Sequence, residues 1–457
     1  MMTATDVSDA VRPVHSQEYR RRRFLNWFPL GITYATFYMS RYNLNVASTE
    51  FMSRFDWTKA QFGLIATAGF WTYALSVILN GPLTDRIGGR KAILTAALGT
   101  AAINILVGVL FLNAWATKVL VGMSLLWAVN MYFQSFAALA IVKINAPWFH
   151  VRERGVFGGV FGIMISSGYF LAMTIGGWIL AGLPWYAVFL IPSAAVLTMY
   201  LIDRRFIADN PKEAGFADFN TGDATSHHTD KEKPVDLGYL IRNVLANPVI
   251  LTLMAAEFCT GFVRQGVLLW FVPFLKEVHH VHHGTALFSL ATIGITVGGI
   301  CGGLLCGFLS DKMFQSRRPP VAFIFYMGQI VSLVVLGLVQ APAAAAFMVG
   351  FTCMWVFGVH GMLTGTASMD FGGTRAAATV TGLLDGVQYI AAGLTGFLLG
   401  RFLDAYGWSA WTYMIVPFSL AGGLLMLKLW NATPKNTKVR IPPKTQTPEP
   451  ERELAGV

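Results

Sequence analysis

Arg41 lies inside the apolar run Phe24 to Ala47, and Arg264 lies inside the run Pro248 to Phe274. Each run is long enough to cross a bilayer. A guanidinium keeps its charge, and at bilayer depth it costs several kcal/mol unless it faces a cavity or a partner. Two fixed cations facing one another across a cavity make a site for a doubly charged anion, because the planar fork of Arg suits phosphate oxygens. The plain alternative is that each Arg pairs with a buried acid. Glu257 precedes Arg264 by about two helical turns on the same face, so it can balance that cation when the site is empty. Asp385 lies in a later apolar run, with Gln388 and Tyr389 one turn on. An intramembrane carboxyl is a candidate for substrate contact, arginine pairing or proton carriage. Tyr38, Tyr42, Trp270 and Tyr389 are candidates to line the cavity beside the arginines, although membrane aromatics more often pack. His360 reads as a hydrogen-bonded core imidazole, and Lys143 as a side chain snorkelling to the interface.

The elements that must carry these residues follow from composition. The 457 residues are 54% apolar and only 13% charged, with a mean hydropathy of +0.54. A soluble domain carries about twice that charged fraction, so the chain is a polytopic, all-α membrane protein. Twelve spans are expected, at 24–47, 60–84, 92–113, 117–143, 156–182, 185–203, 248–274, 285–310, 321–341, 343–366, 377–400 and 409–430. The expected organisation is an N-terminal tail 1–23, a six-helix bundle 24–203, a central loop 204–247, a second six-helix bundle 248–430 and a tail 431–457.

Charge sets the orientation. Arg20 to Arg23 precede the first span; Arg86, Arg90 and Lys91 follow the second; Arg152 and Arg154 follow the fourth. The central loop adds Arg204, Arg205, Lys212, Lys231, Lys233 and Arg242, then Lys312, Arg317 and Arg318 follow the eighth span and Arg375 precedes the eleventh. The intervening loops are short and carry few cations, so both termini and the central loop are expected in the cytoplasm. The net charge of +10 is thus a topology signal, and no basic patch interleaved with aromatics points to nucleic acid. Asn220 to Pro234 reads as a flexible linker. Cys259, Cys301, Cys306 and Cys353 fall in apolar runs without ligand spacing and read as small hydrophobes. His279, His280, His282 and His283 cluster in a predicted outer loop; they can bind a metal or sense pH, against the plainer reading of a solvated loop. No nucleotide-binding or nucleophile-elbow string appears, so neither enzyme chemistry nor a cofactor is expected.

The halves repeat. Asp85 follows Arg41 and Asp311 follows Arg264 at nearly equal spacing, in the similar strings Gly81-Pro82-Leu83-Thr84-Asp85-Arg86 and Gly307-Phe308-Leu309-Ser310-Asp311-Lys312. Parallel repeats place a binding site at their interface near the midplane. Gly81 to Lys91 resembles the loop after the second helix of the major facilitator superfamily, with one additional Gly at Gly88-Gly89. The resemblance implies two pseudo-symmetric six-helix bundles. It also implies a conformational latch built from Gly81, Asp85, Arg86, Arg90 and Asp311, in which the Asp meets a helix N-terminus of the neighbouring span and the Arg pairs with acids of its own half.

A closer likeness is to the organophosphate:phosphate antiporters of that superfamily. It rests on Tyr38-Met39-Ser40-Arg41-Tyr42-Asn43, on Phe262-Val263-Arg264-Gln265-Gly266-Val267 with Trp270, and on Trp148-Phe149 with Glu153-Arg154-Gly155. Asp209-Asn210-Pro211, Thr381-Gly382-Leu383 and Tyr406-Gly407-Trp408 extend it over about residues 24 to 430. It implies that Arg41 and Arg264 grip a substrate phosphate. A Lys and a His of the glycerol phosphate carriers fall at Val77 and Ile165, so the rest of the pocket differs and the organic moiety stays open. The expectation is a secondary transporter, monomeric in a bacterial inner membrane, exchanging an organic phosphate for inorganic phosphate. The alternatives are proton-coupled transport of another organic anion through Asp385 or Glu257, and a non-transporting sugar-phosphate receptor.

Overall fold

The computed structural model describes residues 15–110, 116–150, 153, 163–164, 166–217, 247–315 and 317–432, with backbone only for 110, 116–118, 365–379 and 381. Expectations resting on Arg152, Arg154, Ile165, Lys231, Lys233, Arg242, the linker Asn220 to Pro234 and most of both tails lie outside the described residues.

The N-terminal half contains α1 (Gln17–Val46), α2 (Ser48–Phe55), α3 (Lys59–Ile87), α4 (Gly89–Leu110), α5 (Ala116–Asn145), α6 (Gly176–Gly182) and α7 (Ala187–Phe206). The C-terminal half contains α8 (Pro248–His279), α9 (Ala286–Met313), α10 (Arg318–Leu338), α11 (Pro342–His360), α12 (Ser368–Tyr406) and α13 (Ser409–Lys428). Among the described residues, ten helices are long and apolar enough to cross a membrane. α1, too polar to be counted with them, and the segment ending in α6 bring the spans to the twelve expected. α1 begins at Gln17, so Arg20 to Arg23 are its first turns and not a tail before it. The short α2, at the end of α1, had no signal in the hydropathy.

Local chemistry sets the ends. The Ser16 hydroxyl accepts from Tyr19 N at 3.2 Å and starts α1. Thr58 and Gln61 form a reciprocal capping box at the start of α3. Prolines in the first turn open α8, α10 and α11, where a missing N–H costs nothing. α8 and α2 stop at left-handed His280 and Asp56. Two single π turns interrupt the regular helix, Phe170–Ile175 before α6 and Gly361–Ala367 after α11. Wide turns of this kind re-aim the side chains beside them, here Tyr169 and His360.

A buried polar ladder fixes how α1 faces its neighbours. Asn43 donates to Asn104 Oδ1 at 2.8 Å, Asn104 to Asn130 Oδ1 at 3.0 Å, and Asn130 to the Ser40 carbonyl at 3.0 Å. With these positions tied to α4 and α5, Arg41 is turned to the opposite side of α1, towards the other half. Leu75, Leu79, Leu125, Val142, Leu304 and Val331 are exposed and form a lipid-facing surface. α8 by contrast is enclosed along most of its length.

The halves meet along part of their length. Glu50 pairs with Lys276 at 3.6 Å, and Lys59 with Glu277 at 2.9 Å. Asp404 accepts from Lys59 N and Ala60 N at 2.9 and 2.8 Å, so α12 caps the start of α3. His283 Nε2 donates to the Val46 carbonyl at 3.0 Å. All of these lie at the end remote from the basic loops. Towards the middle, Thr67 donates to Gly393 O and Trp71 to Ile390 O. Beyond the level of Arg41, towards the basic end, no hydrogen bond or ion pair joins described residues of one half to described residues of the other. Among the described residues the halves are thus joined by polar contacts at one end and separated, with none, at the other.

Candidate functional site

Arg41 and Arg264 reach the same space from opposite halves, and Tyr389 of α12 stands between them. Arg41 Nη1 donates to the Tyr389 hydroxyl at 3.3 Å. The Arg264 guanidinium lies 5.6 Å from the centre of the same ring. Arg41 also sits 4.8 Å from the Tyr73 ring and 5.5 Å from the Tyr38 ring. These faces stabilise a cation modestly while leaving its in-plane donors free. Arg41 Nε and Nη2 and Arg264 Nε are enclosed and have no hydrogen-bond partner. Unspent donors on two buried cations are suited to an incoming anion, since leaving them unmade is costly.

Around Arg264 the contacts form a closed set. Nη2 donates to Gln388 Oε1 at 3.0 Å, Nη1 lies 2.9 Å from His360 Nε2, and Gln388 Nε2 lies 2.6 Å from His360 Nδ1. A neutral imidazole accepts at one nitrogen only. Arg264 Nη1 and Gln388 Nε2 are both donors, so one of these contacts sets donor against donor.

The carboxyls are placed differently from one another. Glu257 is wholly enclosed and neither of its oxygens has a hydrogen-bond partner. His360 Nδ1 is 3.9 Å from Glu257 Oε2, so the imidazole stands where direct pairing with Arg264 was expected. Asp385 is half-buried, within electrostatic reach of both arginines, and forms no hydrogen bond or ion pair with a described residue.

Of the aromatic candidates, Tyr38, Tyr42 and Tyr389 are beside the arginines. Tyr42 contacts Tyr169 hydroxyl to hydroxyl at 3.2 Å, and Gln265 Nε2 donates to Tyr42 at 3.5 Å. Trp270 is not with them. It is wholly buried, its indole N–H donates to the Thr395 carbonyl at 2.8 Å, and it packs on Phe62. Tyr34, Tyr73, Tyr169 and Gln265 join the site without having been singled out. For Tyr34 the signal was present in the four-residue spacing Tyr34, Tyr38, Tyr42; for Tyr169 it was not, because a π turn decides where that helix points.

The latch residues contact their own half. Asp85 pairs with Lys143 at 2.8 Å, and not with a helix N-terminus of a neighbouring span. Lys143 thus has an ionic partner in addition to its place at the interface. Arg86 is exposed near Gly81. Arg90 Nη2 donates to the Arg204 carbonyl, and its backbone N–H to Asp209 Oδ1 at 2.6 Å. Asp311 pairs with Arg318 at 3.0 Å.

The histidines of the remote loop diverge. His280 and His282 are exposed, His279 packs on Phe274, and His283 turns inward to Val46 and Phe288. Burial, the largest influence, pushes the His283 imidazole down to about 4, against the pull of Glu50. The described residues hold no group of three side chains arranged for a metal.

Comparison with known proteins agrees with this architecture. The chain is 25% identical over 450 residues to a probable hexose phosphate transport protein of Chlamydia pneumoniae, covering 94% of this chain and 96% of that protein. It is 28% identical to the membrane sensor protein UhpC of Escherichia coli strain K12, covering 91% and 94%. It is 25% identical to the glycerol-3-phosphate transporter of Bacillus subtilis strain 168, covering 90% and 93%. Among solved structures, a bacterial homolog of the human lysosomal transporter Spinster, in an inward-facing and unoccupied conformation, superposes with a TM-score of 0.68. The identity there is 18%, with 91% of this chain and 96% of that chain covered. Residues 30–396 match the family described as Major Facilitator Superfamily, and with twelve helices around two facing arginines the chain belongs to that superfamily, an integral membrane protein of a transporter family and not an enzyme.

Proposed function

We propose that the protein is a secondary transporter that exchanges an organic phosphate for inorganic phosphate by alternating access. The observation that carries this reading is the pair Arg41 and Arg264, reaching Tyr389 from opposite halves with unpartnered guanidinium nitrogens. Hexose phosphate and glycerol-3-phosphate transporters among the relatives support the same substrate class. With the basic loops in the cytoplasm, the separated end faces inward and the seal at Glu50, Lys59 and His283 faces outward. A phosphate entering from the cytoplasm bridges the two arginines, pulls the halves together on that side, and lets the remote seal open. The latch residues Asp85, Arg90 and Asp311 then change partners between the two states. No metal or nucleotide drives the cycle; the substrate gradients do.

A sensor reading has one specific support, the relative named as a membrane sensor protein. The decisive experiment is labelled phosphate exchange in proteoliposomes loaded with inorganic phosphate. Exchange should be abolished by Arg41→Ala and by Arg264→Ala. The Lys variants should also lose at least tenfold, because Lys keeps the charge but not the bidentate fork. Binding of phosphate without flux would sink the transporter reading in favour of the sensor.

A further inference from the structure

We infer that the cavity contains an ammonium-binding subsite centred on Asp385, so that the organic substrate is a zwitterion: a phosphate ester or phosphonate carrying a positively charged amino group about one helical turn from phosphorus. This rests on the phosphate reading above and names the substrate class of the same site.

The first argument is charge. Arg41 and Arg264 share the cavity region with two carboxyls, Asp385 and Glu257. A phosphate held between the arginines brings its negative charge close to both. In a poorly hydrated site, like charges at such range are strongly unfavourable unless a counter-charge accompanies them. Glu257 has His360 beside it. Asp385 has no hydrogen-bond or ion-pair partner among the described residues, and its side chain is half-buried and not enclosed. In the empty site the two arginines balance Asp385; once a phosphate engages them, a positive group on the ligand restores that balance.

The second argument is position. Asp385 lies four residues before Tyr389, about 6 Å along α12 at 1.5 Å per residue. The direction is towards the separated end, where a substrate enters. A phosphate at the level of Tyr389 and Gln388, with its tail trailing towards the opening, brings the second carbon of that tail to Asp385. An amino group on a two-carbon spacer fits this interval.

The third argument is the surround. Tyr34, Tyr73 and Tyr389 are all within electrostatic reach of Asp385. Tyr73 and Tyr389 have ring centres 4.2 Å apart. Tyrosine faces and hydroxyls together with one carboxylate suit an alkylammonium. A neutral sugar could donate to Asp385 but would leave its charge uncompensated. A proton could neutralise it but would gain nothing from the rings. Independently of Asp385, the unpartnered nitrogens of Arg41 and Arg264 leave room for the anionic end of the same ligand.

The test uses the full-length protein in proteoliposomes loaded with inorganic phosphate, with labelled phosphate exchange as readout. The competitors are O-phosphoethanolamine and ethyl phosphate, which differ only in the amino group. O-phosphoethanolamine should inhibit at a concentration at least roughly tenfold lower, the size expected for one charge-assisted hydrogen bond. Asp385→Asn should collapse that ratio, and Asp385→Glu should keep it. Equal inhibition by the two compounds in the wild type, or a ratio that survives Asp385→Asn, overturns the inference. So does a pH-dependent exchange that Asp385→Asn makes pH-independent while both compounds compete equally, since Asp385 then carries a proton. If Asp385→Asn does not fold, the wild-type ratio decides alone. Absence of any phosphate exchange by folded protein overturns the phosphate reading, and the subsite falls with it; exchange without amino preference removes only the subsite.

Discussion

At the scale of single residues, what a side chain does here depends on whether it is enclosed and by what. His283 shows this outside the membrane. It sits in the remote seal, donating from Nε2 to the Val46 carbonyl, with Glu50, Lys276 and His282 as the charged or titratable groups around it. Burial holds it neutral down to about pH 4 in the sealed state, whereas an exposed imidazole titrates near 6.5. Above pH 6.5 both states hold it neutral and the seal is at full strength. As pH falls from 6.5 towards 4, the opened state gains a proton that the sealed state refuses, so the seal weakens. A cysteine at Thr49, buried when sealed, should label severalfold faster at pH 4.5 than at pH 7 in a background without the four native cysteines. His283→Gln should flatten that pH dependence; an unchanged profile would assign it to Glu50 instead. The arginines were legible in the sequence because a charge in an apolar run demands a reason. Trp270 and Glu257 were not, because helical spacing tells which face a residue shares but not which third residue intervenes. For Trp270 the intervening partner is the Thr395 carbonyl, and for Glu257 it is His360.

At the scale of elements, most spans were legible in the hydropathy, with Pro248 and Gly407 as clear punctuation, whereas the splits at Gly182 and Pro342 were the weakest in the sequence. The points that aim the site were not. Neither π turn has a hydropathy signature, and neither does the close approach of α3 to α12. That approach rests on Gly63 and Gly396: a Cβ on either would overlap the backbone carbonyl of the other. Small residues of this kind let membrane helices touch backbone to backbone. This contact joins the two halves on the sealed side, so it must break when that side opens. Gly298 and Gly350, by contrast, join α9 to α11 within one half and must hold in both states. The two contacts should therefore answer differently to the same insult. Gly63→Val should leave the protein folded but shift it towards the state open at the remote end, read as faster labelling of a cysteine at Thr49. Gly298→Val should lower folded yield and melting temperature without changing the balance of states. Equal loss of stability in both would mean that the α3–α12 contact is not one the cycle breaks.

At the scale of the whole molecule, the duplicated pattern of Arg41 with Asp85 and Arg264 with Asp311 announced a chain of two related halves, and the fold bears that out. The sequence could not say which end would be closed, because both states satisfy the same hydropathy and the same loop charges. Besides the α3–α12 packing, the difference includes polar contacts of modest worth: Glu50 with Lys276, Lys59 with Glu277, and Asp404 at the start of α3. Exposed ion pairs contribute about 0–1 kcal/mol each, so these contacts add to the packing yet are weak enough for a ligand's differential affinity to overcome. Making one of these contacts permanent should stop the cycle while leaving the site intact. In a background lacking the native cysteines, Glu50→Cys with Lys276→Cys, cross-linked by a short reducible reagent, should abolish phosphate exchange. Phosphate binding from the separated side should persist, and reductant should restore exchange. Each single cysteine treated alike should exchange normally. Continued exchange by the cross-linked pair would mean that the remote end does not open during turnover, and the alternating-access reading of this seal would have to be abandoned.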